Sequence, residues 1–159
     1  MKGPLGRLIE THAGAGRLDW IGLRPARRET LITLAQARVA AGGLEGDHGR
    51  AGKRAVTLIQ AEHLPVIGAL AARDAAPPEM LRRNLVISGI NLGALRGRTL
   101  RIGGAVLRIT GPCAPCSRME EALGPGGYSA MRGHGGWCAE VLDPGNIALG
   151  DAVRPVPAA

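Results

Sequence analysis

"TLRIGGAVLRITGPCAPC", residues 99–116, decides how the chain is read. Its first twelve residues carry apolar side chains at alternating positions on either side of Gly103-Gly104. A period of two marks a half-buried strand, and a glycine pair between two such runs marks a tight turn. The expectation is two short strands within 99–110, leading directly into Cys113 and Cys116, which bracket Ala114-Pro115.

Working outward, "SRMEEALG" (117–124) reads as a helix ending at Gly124, "WCAEVL" (137–142) as a strand, "DPGN" as a turn and "GDAVRPV" as a final strand. Upstream, "LVISGI" (85–90) and "AVTLIQ" (55–60) are strand-like. Between them lie a helix in "AEHLPVIGALAARD" (61–74), starting near Glu62 to Leu64 because Pro65 fits only a first turn, and a short helix in "APPEMLRRN" that breaks at Asn84. "AGGLEGDHGRAGKR" (41–54) is a polar, glycine-rich loop. "GRLIETH" (6–12), "RLDWIGL" (17–23) and "TLITLAQARV" (30–39) read as strands, the last with a helical alternative. Roughly eight short strands and three helices result. Strands rarely alternate with full-length helices, which argues against a doubly wound sheet. The fold expected is mainly β: an antiparallel, barrel-like sheet with a few short helices, in a single domain over 1–159.

Composition sets limits on partners. With two tryptophans, one tyrosine and no phenylalanine, the core has to come from Leu, Ile, Val and Ala. No apolar run is long enough to cross a bilayer, and the N-terminal residues lack the apolar core of a secretion signal. Three cysteines make no disulfide framework, so a reducing, cytoplasmic setting is expected. The net charge is +7, and eighteen of the twenty basic residues are arginines. A GC-rich genome accounts for this composition, and so does a site for phosphate or another planar anion, which the guanidinium fork suits. Nucleic acid is disfavoured because the arginines are scattered and few aromatics can stack on bases.

Ser117 and Glu120 have capping-box spacing. With Ser117 as N-cap, Cys116 would lie just outside a first helical turn, near unpaired amides and Arg118, where a thiolate is favoured. Cys116 is therefore a candidate metal ligand or nucleophile, and Cys113 a less supported neighbour. Cys138, inside an apolar strand, reads as an inert core cysteine. Two other patterns compete. Cys113-x-x-Cys116 followed by His134-x-x-x-Cys138 has nearly zinc-finger spacing, and strand, C-x-x-C, helix is the order of a thioredoxin-like redox pair. The redox pair would fall too late in the chain for a thioredoxin fold.

The ordered set "GLEGDHG" (43–49), "RAVTLIQAEHL" (54–64), "LRRNLVISGINL" (81–92), "LRIGGAVLRITGPCAPC" (100–116), "GGWCAEVL" (135–142) and "GNIALGDAV" (145–153) resembles MOSC domains, the modules related to the C-terminal part of molybdenum cofactor sulfurase. It is most similar to the short, stand-alone bacterial members. The resemblance implies a barrel-like fold with a positively charged pocket for the molybdenum cofactor, molybdopterin with its metal. It also implies one cysteine in a Pro-Cys context that ligates molybdenum or carries sulfur, which maps onto Cys116. The family's Arg-x-Asn stretch maps onto Arg82 and Asn84 with Arg83 between, its Gly-Asp loop onto Asp47 and His48, and its basic residue before a strand onto Arg54, beside Lys53. Ser117 and Arg118 complete the cofactor-binding set that the resemblance and the capping argument suggest. Many members carry arginine where this chain has Cys113, which opens a regulatory disulfide or assisted sulfur transfer.

Each of these residues also has an ordinary reading. Arg82 and Arg83 suit a solvated helix end, Asp47 a turn, and His48 and His134 exposed loops. The functional readings are a molybdenum-dependent reductase of N-hydroxylated substrates served by an external electron donor, a sulfur or cofactor carrier served by a sulfur donor protein, and a zinc-stabilised binding domain.

Overall fold

The computed structural model describes residues 3–27, 29–114 and 117–157. Seven of its strands close a barrel in the order β11(Ala152–Pro155), β7(Thr99–Ile102), β8(Ala105–Pro112), β9(Trp137–Asp143), β5(Val56–Gln60), β6(Leu85–Ser88) and β1(Gly16–Leu23), with β1 returning to β11. β2(Ile32–Leu34) extends β1, and β10(Gly145–Ala148), β3(Gln36–Ala40) and β4(Gly43–Leu44) form a separate three-stranded sheet. The hairpin expected at 99–110 is present. β7 and β8 pair from Thr99↔Arg108 to Ile102↔Ala105 across Gly103-Gly104.

The barrel is mixed, which corrects the antiparallel expectation. β5 and β6 run parallel, Leu58 opposite Leu85 and Gln60 opposite Ile87. Parallel neighbours need a long crossover, and residues 61–84 supply it through α2(His63–Leu70) and α3(Pro78–Leu81).

Alternation along these strands sends side chains into two separate cores. Leu58, Leu85 and Ile87 point into the barrel with Leu18, Ile21, Leu100, Leu107 and Ile109. Ile59 and Val86 point the other way, under a layer built from Ile67 of α2, Leu81 of α3, Met119 and Leu123 of α4(Ser117–Leu123), and Ala130 and Met131 of α5(Gly127–Met131). Each fully buried aliphatic side chain contributes about 1.5–3 kcal/mol relative to exposure. The helical layer is thereby anchored on the outside of the one parallel pair.

Three local expectations need correction. Residues 6–12 are not a strand. Pro4 opens α1(Pro4–Glu10), and Leu5, Leu8 and Ile9 remain exposed on it. Proline presets the first-turn dihedral, and apolar residues at i, i+3 and i+4 fit a helix as well as they fit an irregular alternation. α2 ends at Leu70 rather than near 74, because Ala72 turns the chain through a left-handed conformation (φ 56°). Glu120 does not close a capping box on Ser117. Its two carboxylate oxygens accept from the amides of Gly126 (3.0 Å) and Tyr128 (3.0 Å), and so tie α4 to α5. Among the described residues no helix is long and apolar enough to cross a membrane.

Candidate functional site

Where β1 ends, Arg24 wraps around Asp47 of the 41–54 loop. Its backbone amide donates to Asp47 Oδ1 at 2.7 Å, its Nε to the same oxygen at 3.2 Å, and its Nη2 to Oδ2 at 3.0 Å. The Gly49 amide also donates to Oδ2, at 2.9 Å. The Asp47 carboxylate is almost fully enclosed. Burial alone would raise its pKa, but the Arg24 hydrogen bonds and charge outweigh that and hold it below the ordinary carboxylate value.

Asn84 ties this loop to the barrel. It is completely buried. Its Nδ2 donates to Asp47 Oδ1 and to the Gly22 carbonyl, both at 3.1 Å. Its Oδ1 accepts from the Thr57 amide (3.1 Å) and hydroxyl (3.2 Å). Every polar group of the amide is used inside the protein, so Asn84 acts by positioning Asp47 and Arg24.

A cluster of positive charge sits over this frame. Arg82 adopts a left-handed conformation at the end of α3 (φ 55°) and donates from Nη1 to the Glu29 carbonyl (2.5 Å) and from Nη2 to the Ala26 carbonyl (3.1 Å). Burial, then the nearby charges of Arg118 and Arg24, pull its pKa down. His48 is exposed, yet partial desolvation and the charges of Arg24 and Arg82 lower its pKa. Arg54 and Lys53 are exposed at the end of the same loop, and the Lys53 carbonyl accepts from Thr110 Oγ1.

Arg83 faces elsewhere. It is 6% exposed and donates from Nε to the Gly135 carbonyl (2.8 Å) and from Nη1 to the Leu81 carbonyl (2.7 Å). Its Nη2 has no hydrogen-bond partner among the described residues, and neither has the buried Nδ1 of His134. Cys113 lies next to this guanidinium. The neighbouring Cys138 thiol, with the charges of Arg83, Arg24 and Arg54, brings the Cys113 pKa down to about 6 against burial. Cys138 is pushed up as the donor of the pair.

Cys138 is buried, as expected. The His134 ring packs edge-on against His63, with centroids 5.3 Å apart. Among the described residues no group of three or more His, Cys, Asp or Glu could hold a metal ion. Ser117 is exposed at the start of α4, and Arg118 is half-buried beside Arg82. Cys116, with Pro115 before it, lies outside the described residues. Sequence reasoning missed Arg24, a lone arginine at a strand end, and the Cys113–Cys138 contact, which depends on a strand pairing across 25 residues. A cavity of about 490 Å³ lies apart from all of these, between the end of α1, Ala94, Arg98 and the 154–157 segment.

A family model described as MOSC domain matches residues 31–154. Solved structures share the fold at low identity. The YuaD protein from Bacillus subtilis superposes with a TM-score of 0.77 at 18% identity, covering 88% of this chain and 94% of that one. YiiM from Escherichia coli gives 0.69 at 21% identity, covering 90% and 71%, and YiiM from Geobacillus stearothermophilus 0.72 at 18%, covering 89% and 75%. No curated protein matches the chain.

Proposed function

The chain belongs to the MOSC domain family, which is associated with molybdenum cofactor binding, and from that premise we propose that it binds the cofactor through its arginine cluster and reduces N-hydroxylated substrates. The observation that carries this reading is the uncompensated charge around Arg82. Burial and the nearby charges of Arg118 and Arg24 pull the Arg82 pKa down, and Asp47, a carboxylate beside it, is already committed to Arg24. Such a cluster lacks an anion, and a phosphate accepting forked guanidinium bonds fits it.

In this reading Arg82, Arg118 and His48 hold the anionic end of the cofactor. Asp47 and Asn84 fix Arg24 in place, Arg54 and Lys53 add charge at the rim, and Cys116 is the thiolate ligand to molybdenum. The bound cofactor supplies the two-electron chemistry, and the protein supplies orientation and electrostatics. An external electron donor is required.

One feature favours a second reading, a sulfur or cofactor carrier: a second thiol, Cys113, sits three residues before Cys116, with its pKa drawn down by Cys138 and the charge of Arg83. Metal and sulfur analysis separates the two. Protein purified from a host that makes the cofactor should contain about one molybdenum and one pterin per chain. Cys116→Ser should lose the molybdenum without a change in thermal unfolding. Absence of both metal and pterin, with a persulfide on Cys116, would overturn the reductase in favour of the carrier. One zinc per chain, lost in Cys138→Ser, would support the zinc-stabilised domain instead.

A further inference from the structure

We propose that Cys113 and Cys138 form a dithiol that reduces hydroperoxides, with Cys113 as the attacking sulfur and Cys138 as the resolving one. The inference is independent of molybdenum and of Cys116.

The strand register sets up the pair. β8 and β9 place Gly111 opposite Cys138 and Pro112 opposite Trp137, and the Cys113 amide donates to the Gly136 carbonyl at 2.8 Å. Cys113 therefore faces Gly136 and Cys138 faces Gly111, on one face of the ladder and two residues out of step. Each cysteine has a glycine across from it, so no paired side chain stands between the two along the diagonal; ordinary diagonal neighbours lie about 7–8 Å apart, and the S–S bond draws these strand ends together to below about 7 Å between Cα atoms. The two thiols act on each other, Cys113 drawn down and Cys138 pushed up.

Charge and access differ between the two thiols in the sense that this chemistry needs. Cys113 is half-exposed and Cys138 is 6% exposed. Arg83 and Cys113 converge on Gly135, where an added side chain would meet the Cys113 carbonyl at 2.7 Å and Arg83 Nη2 at 3.6 Å. Arg83 is buried, its charge faces no carboxylate in the described hydrogen bonds, and Nη2 has an N–H to spare. A thiolate at Cys113 balances that charge, and the free N–H can donate to an oxygen that leaves as an anion. Both features favour peroxide as the oxidant.

The steps balance. The Cys113 thiolate attacks one oxygen of ROOH. The O–O bond breaks, an S–O bond forms, and RO⁻ leaves and takes a proton as ROH. The sulfur loses two electrons to the peroxide and becomes a sulfenic acid. The Cys138 thiol then attacks the Cys113 sulfur. An S–S bond forms, the S–O bond breaks, and water leaves with the Cys138 proton. A cellular dithiol restores the pair by exchange, becoming a disulfide itself.

The test uses the full-length chain, reduced, freed of reductant and of metal, and challenged with one equivalent of tert-butyl hydroperoxide at pH 7 before alkylation and peptide mapping. A Cys113–Cys138 disulfide is expected in the native chain and equally in Cys116→Ser. In Cys138→Ser, and in Cys138→Ala as a second version, dimedone should trap a sulfenic acid at Cys113. Loss of the first thiol should be at least about tenfold faster than for glutathione, as the larger thiolate fraction requires. A disulfide between Cys113 and Cys116, oxidation that starts at Cys116, or a rate no faster than glutathione would each overturn the proposal. Molybdenum content has no bearing on any of these outcomes, so the proposal and the cofactor reading can fail separately.

Discussion

Asn84 and Arg83 are neighbours in sequence, and each serves a buried polar cluster of opposite character. Around Asn84, the side chains of Asp47, Arg24 and Thr57 use their polar atoms on one another and on the backbone. Around Arg83, a buried guanidinium has one nitrogen without a partner among the described residues and the Cys113 thiol, its pKa drawn down, for a neighbour. The closed network spends most of its donors internally, so its work is to hold the loop and Arg24 in register. The open one retains a donor, a charge and a nucleophile, and those are the elements of chemistry. Placement and reactivity are thus divided between two adjacent residues at the entry to β6.

The sharpest way to break the closed cluster is Asp47→Ala. It strands the Arg24 guanidinium and one Asn84 donor in a nearly enclosed site, and a cost of about 3–5 kcal/mol is expected in urea unfolding. The pH dependence should change with it. The Asp47 carboxyl is held below its unfolded value of 3.8, so the stability it contributes is fully present above about pH 4 and is lost as pH falls through the lower folded value. The variant should lack that acid limb. An Asp47→Ala chain with native stability and a native acid limb would mean that the cluster is not closed.

The open cluster should yield less stability and more reactivity. Arg83→Met fills a similar volume and removes a charge that no carboxylate answers, while leaving the Gly135 and Leu81 carbonyls without their donor. The expected cost is about 1–3 kcal/mol, below that of Asp47→Ala. Cys113 should lose part of its thiolate character. The midpoint of its alkylation rate against pH is expected near 6 in the native chain and higher in the variant. An unmoved midpoint would assign the low value to Cys138, Arg24 and Arg54 instead.

The sequence makes the closed cluster partly visible and the open one almost invisible, for physical reasons. Local patterns survive folding: Gly103-Gly104 turns a hairpin, Pro65 sits in the first turn of α2, and 117–123 is a helix. Asp47 and Asn84 stand out because turn chemistry and an Arg-x-Asn stretch single them out. What cannot be read is pairing at a distance. β10 forms within and after "DPGN" because Gly145–Ala148 finds Val39 to Gln36 as an antiparallel partner. The same limit hides the reach of Cys138 to Cys113, which needs the β8–β9 register and its irregularity between Ile109 and Gly111. Arg24 is one of eighteen arginines until the fold places it against Asp47.

That register makes the smallest and most discriminating prediction. The two glycines facing the cysteines are not equivalent. Gly136 lies at φ +87°, and a side chain there would run into the Leu58 carbonyl. Gly111 has ordinary strand geometry, and an added Cβ would meet nothing within 4 Å. Gly111→Ala should therefore change stability by no more than about 0.5 kcal/mol, in the stabilising direction because glycine is the poorer strand residue. It should also leave the Cys113–Cys138 disulfide yield unchanged. A loss of more than about 2 kcal/mol would show a neighbour pressed against Gly111 and a register other than Gly111↔Cys138. A one-residue slip would turn the two cysteines to opposite faces, and the open cluster would lose its resolving thiol.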